Sequence, residues 1–66
     1  MKNKIIKQTY NGYGICIEEK EINAQRYTMD IIEAHRYGYC AELYVDKCII
    51  QTENFQHIYK FEVYND

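Results

Sequence analysis

Asn23-Ala24-Gln25-Arg26-Tyr27-Thr28-Met29-Asp30-Ile31-Ile32-Glu33-Ala34-His35 can be folded in two ways, and the chain takes a different architecture with each. As a helix, Asn23 caps the start and Gly38 closes the end, with Ala24, Tyr27, Ile31 and Ala34 on one side. Ile22, Met29 and Ile32 then fall on the far side, which leaves the helix apolar nearly all round. As a strand, Tyr27, Met29 and Ile31 alternate with Arg26, Thr28 and Asp30, and the aromatic and β-branched residues suit the pleat. The alternation is the cleaner pattern. It predicts a strand, with residues 33–36 turning the chain; a helix over 23–36 is the alternative.

The next segment alternates as well. Tyr37, Tyr39, Ala41, Leu43 and Val45 share one face of a strand, and Gly38, Cys40, Glu42 and Tyr44 the other. A reversal at Asp46-Lys47 pairs Val45 with Cys48 and Leu43 with Ile50, so the apolar face continues. Thr52-Glu53-Asn54 is a polar turn into a last strand from Phe55 to Tyr64. That strand sets Phe55, His57, Tyr59, Phe61 and Val63 against Gln56, Ile58, Lys60, Glu62 and Tyr64. Upstream, Asn11-Gly12 is the preferred type I′ pair. A turn there faces Tyr10 with Tyr13, Gln8 with Ile15 and Ile6 with Ile17. The charged run Glu18-Glu19-Lys20-Glu21 reads as a solvated connection or an exposed strand end.

The expected fold is all-β, a compact antiparallel meander or small barrel of five to six short strands. The alternative is α+β: a hairpin, a helix over 23–36, then a three-stranded antiparallel sheet. Residues 1–66 make one small domain, since a chain of 66 residues buries only about 60% of its unfolded surface. No span reaches the about 20 apolar residues of a membrane helix, and no secretory signal is legible behind Met1. Three cysteines cannot all pair within one chain, so free thiols in a cytoplasmic setting are expected. Ile, Lys, Asn and Tyr, the residues of AT-rich codons, dominate, which suggests a low-GC bacterium, its phages or mobile elements.

Catalytic and metal chemistry find little support. Serine is absent, no Gly-rich phosphate loop exists, and the carboxylates lie mostly at turns and strand ends, where pKa values stay ordinary. Cys16, Cys40, Cys48, His35 and His57 lack the paired spacing of zinc ligands, and the cysteines are expected to be small buried thiols. His57 is expected at the edge of the core with its nitrogens satisfied. Neither an enzyme nor a cofactor is expected.

A net charge of −2 with interspersed signs makes nucleic acid an unlikely partner. What remains is apolar surface opposite the main core face: Tyr44, Ile49, Ile58 and Tyr64, with Tyr44 and Ile49 paired across the hairpin. Such a stripe marks a partner or oligomer interface unless the chain covers it. Tyr10, Tyr13, Tyr37 and Tyr39 are secondary binding candidates, tyrosine being rich in interface energy. The expected function is a non-enzymatic protein-binding module, an inhibitor or adaptor of phage or mobile-element type that occupies a host protein such as a defence factor. The alternatives are a single-stranded nucleic-acid-binding small barrel with stacked tyrosines, and a small-molecule-sequestering homo-oligomer.

Overall fold

The computed structural model describes residues 2–64, with the side chains of residues 3–63. In chain order the elements are β1 (Lys2–Tyr10), β2 (Cys16–Ile22), α1 (Ala24–Arg36), β3 (Cys40–Leu43), β4 (Lys47–Gln51) and β5 (Gln56–Tyr64). All strand pairs are antiparallel, and the five strands form one open sheet in the order β2-β1-β5-β4-β3. The last strand slots between the first hairpin and the second, so the sheet is neither a barrel nor a plain meander. The expected alternative, hairpin, helix and three-stranded sheet, is the arrangement found, with both parts joined through β1 and β5.

The strand expected over the ambiguous segment is therefore a helix, and its ends explain why. Asn23 has extended backbone, and its side-chain oxygen accepts the Arg26 N–H at 2.8 Å, the bond of a helix N-cap. At the far end Gly38 takes a left-handed φ of 74°. The Gly38 N–H donates to the His35 carbonyl and the Tyr39 N–H to the Ala34 carbonyl, which closes the last turn in a Schellman motif. Each cap is worth about 1 kcal/mol. The rival alternation survives only because Met29 and Ile32 point outward and stay exposed.

The helix lies over one sheet face and leaves the other uncovered. Ala34, Cys48, Ile50 and Tyr59 form the buried core, with Ile5, Ile22, Tyr27, Ile31, Tyr39 and Phe61 packed around it. Tyr27 meets the rings of Tyr59 and Phe61 edge-on, with centroids 5.4 and 5.3 Å away. Fully burying one such aromatic or aliphatic side chain contributes about 2 kcal/mol.

Both hairpin registers differ from expectation. In the first, Ile5 faces Ile22 and Thr9 faces Glu18, with an irregularity between Thr9 and Tyr10. Gly12 is not in the left-handed region; Gly14 is, at φ 77°. The loop is held by Asn11, whose side-chain oxygen accepts from the N–H groups of Tyr13 and Ile15 at 2.9 and 3.1 Å. This longer loop carries Ile22 under the helix, which a tight Asn11-Gly12 turn could not do. Ile6 then faces Glu21 rather than Ile17. The charged run is part of the exposed edge strand β2. In the second hairpin Leu43 faces Cys48 and Glu42 faces Ile49, so the chain reverses at Val45-Asp46. The slip of two residues keeps every side chain on its expected face.

Candidate functional site

Two features of this half-covered sheet concentrate chemistry: the uncovered face, and a polar cleft along one flank of the helix.

On the uncovered face, alternation and register bring Ile6, Gln8 and Tyr10 of β1 beside Lys60, Ile58 and Gln56 of β5, then Lys47, Ile49 and Gln51 of β4. Ile49 and Ile58 are direct cross-strand partners, as the shared face requires. Tyr44 reaches the same face but is not paired with Ile49. It closes the hairpin opposite Lys47, donates its hydroxyl to the Glu42 carboxylate at 2.6 Å and lies under the Lys47 ammonium. Ionising the phenol would lose that donated bond and set two anions side by side, so Glu42 pushes the Tyr44 pKa up. Backbone pairing puts Tyr64 opposite Lys2 at the end of β5, but its side chain lies outside the described residues.

The stripe is thus shorter and more polar than expected. Its apolar centre is Ile6, Ile49 and Ile58, half-buried by their neighbours, with Tyr44 and Tyr10 at two sides and Lys47, Lys60, Glu42 and Glu19 around them. Ile6 was missed because the supposed register assigned it to a first-hairpin face carrying Ile15 and Ile17.

The secondary candidates do not converge. Tyr13 stands at the first loop, 90% exposed, and Tyr10 is on the uncovered face. Tyr37 and Tyr39 lie at the far end of the helix with centroids 5.8 Å apart. Tyr59 is buried in the core and presents no ring for stacking.

The cleft, about 250 Å³, runs between the flank of α1 and the sheet. Its centre is Asp30, whose side chain is 9% exposed, beside Lys7 at 11%. Asp30 Oδ2 accepts from Lys7 Nζ at 3.0 Å and from the Tyr59 hydroxyl at 2.9 Å; Oδ1 is 3.2 Å from Arg26 Nε. Burial works against the carboxylate, but the two hydrogen bonds and the charges of Lys7 and Arg26 outweigh it and hold its pKa low. The same burial and bond push the Tyr59 phenol up. Lys7 also lies over the Tyr59 ring, 5.4 Å from its centroid.

His57 sits farther along, with Nδ1 3.1 Å from Thr9 Oγ1. Burial, then the Lys7 charge, lower its pKa, against the pull of Asp30 and Glu18. Its place beside Phe55 and Tyr59 is the expected core-edge setting. The Lys7–Asp30–Tyr59 cluster was invisible in sequence, because its partners lie 23 and 29 residues apart. A polar Lys7 on the Ile5 side of β1 was the one available signal.

Cys48 is the buried thiol that composition led one to expect, its pKa raised by burial, which outweighs the opposing effect of the Tyr27 hydroxyl. Cys16 and Cys40 are not; both are exposed, on the two edge strands. Among the described residues no three His, Cys, Asp or Glu side chains gather to hold a metal ion, and no helix is long and apolar enough to cross a membrane.

No family model matches the chain, and neither a curated protein nor a solved structure matches it.

Proposed function

We propose that the chain is a protein-binding module that works by occupying a partner's surface with its uncovered sheet face. The observation that supports this reading is the Ile49–Ile58 pair, set on a sheet face with no layer of the described residues over it. Sheet faces of this kind are usually packed in two-layer domains, and Tyr44 and Tyr10 add the rigid, amphipathic area that interfaces favour. The surrounding lysines and glutamates suit a partner with an apolar centre and a mixed-charge rim. In this proposal the protein is an inhibitor or adaptor of mobile-element type, acting in the cytoplasm, where its three free thiols would persist.

Affinity capture from lysate tests the reading, with the wild type, Ile49→Asp, Ile58→Asp and Tyr13→Asp as baits. A defined protein held by wild type and Tyr13→Asp but released by both isoleucine variants is the expected result. Capture of nucleic acid alone, falling steeply with salt, would overturn it.

A second reading draws on the cleft: a small molecule held between Lys7, Asp30, His57 and Tyr39. Native mass spectrometry checks it directly. A bound metabolite would favour it, and a clean mass would count against it.

A further inference from the structure

The two edges of the sheet are unlike. The β2 edge carries Glu18, Glu19, Lys20 and Glu21, a run of charge of the kind that blocks strand addition. Within β3 the only charge is Glu42, and the strand leads into Tyr44 and Val45. Leu43 is 72% exposed, and Val45, the first residue of the turn that follows, is fully so.

The backbone of β3 shows what this edge offers. The Tyr44 N–H donates to the Lys47 carbonyl at 2.8 Å, so Tyr44 and Lys47 are a hydrogen-bonded pair. Antiparallel ladders alternate, which makes Glu42–Ile49 and Cys40–Gln51 bonded pairs too. The N–H and C=O groups of Ala41 and Leu43 therefore point away from β4, toward the open side.

We propose that a second copy of this chain adds there, β3 against β3 in antiparallel sense about a two-fold axis at Leu43, giving one continuous ten-stranded sheet. Register selects this axis. An axis at Glu42 would set two carboxylates directly opposite, which is unfavourable. An axis at Leu43 puts Leu43 against its copy, so the most exposed apolar side chain of β3 meets itself across the seam. Glu42 then faces the partner's Tyr44, a pairing whose chemistry already exists within one chain as the Tyr44–Glu42 hydrogen bond. The two Leu43 residues exchange both backbone bonds across the axis. A two-fold, self-complementary contact closes on itself and stops at two copies, and the charged β2 edges prevent further growth. The proposal concerns the edge and does not depend on what the uncovered face binds.

Leu43→Pro is the incisive variant, since it removes a donor that points outward and spares every β3–β4 bond. Leu43→Lys places two like charges at the axis. Analytical ultracentrifugation of the wild type, both Leu43 variants and Ile58→Asp from about 10 µM to about 1 mM covers the range expected of a small interface. Circular dichroism checks each fold. The expected result is a wild-type mass rising toward twice 8.0 kDa, the same rise for Ile58→Asp, and folded monomers for Leu43→Pro and Leu43→Lys. A wild type that stays monomeric throughout overturns the proposal. So does a dimer that survives either Leu43 variant, or one lost in Ile58→Asp. Should both Leu43 variants unfold, amide exchange on the wild type decides. Protection of Ala41 and Leu43 that grows with protein concentration supports the seam, and free exchange at every concentration overturns it.

Discussion

Asp30 holds three donors around one carboxylate with almost no water. A charge buried in that way is stable only while its partners remain, and removing one side leaves the other uncompensated. Asp30→Ala strands the Lys7 ammonium and the Tyr59 hydroxyl together. The expected loss is about 3 kcal/mol, a large share of what a domain of this size has, read as the shift of the urea midpoint at constant slope. Tyr59→Phe keeps the ion pair and loses one charge-assisted bond, so its expected loss is smaller, about 1.5 kcal/mol. The sign of the pH dependence follows from the same groups. Asp30 has a folded pKa below its ordinary 3.8, so its contribution is complete above that value and lost as pH falls through the lower folded pKa. His57 is also lowered, from 6.5. Below 6.5 the unfolded chain binds a proton that the folded chain resists, so stability falls with acidification there as well. Urea midpoints measured from pH 7 down to pH 3 should decline in one direction, and the part that sets in as pH falls through 6.5 should vanish in His57→Gln.

The helix is held by its ends as much as by its face. Asn23→Ala removes the N-cap acceptor and should cost about 1 kcal/mol, with the amide protection of Arg26 lost first in hydrogen exchange. Both caps were readable in sequence, Asn23 at one end and Gly38 at the other. The period-2 pattern of Tyr27, Met29 and Ile31 outweighed them because one sequence does not say which apolar residues stay exposed. Met29 and Ile32 do, and discounting them leaves Tyr27, Ile31 and Ala34 at helical spacing. The faces of β3, β4 and β5 were legible for the opposite reason. Alternation over a half-buried strand fixes them whatever the exact register, and an even slip preserves them. The first hairpin was not, since Asn11-Gly12 is a strong local signal that the Asn11 side chain and Gly14 override. The joining of β1 to β5 and the Asp30 cluster are long-range facts that no local pattern carries.

The described residues form one helix on one sheet, 18 Å through the shortest direction, the depth of two layers. Its economy is unusual: one face buries the core, while Ile6, Ile49 and Ile58 on the other have only their strand neighbours for cover. The distinction between the faces has a direct consequence for stability. Ile50 is 2% exposed beneath the helix, whereas Ile58, one pairing step away on β5, lies on the uncovered side. A carboxylate at position 50 replaces an apolar side chain buried in the core, and one at position 58 lies on the half-buried face nearer solvent. The measurement that bears most directly on the half-covered sheet is urea unfolding of Ile58→Asp beside Ile50→Asp. With only one face packed, Ile58→Asp should keep a cooperative transition within about 1 kcal/mol of the wild type, while Ile50→Asp loses the folded state. Equal collapse of the two variants would mean that both faces are packed, and would contradict the prediction.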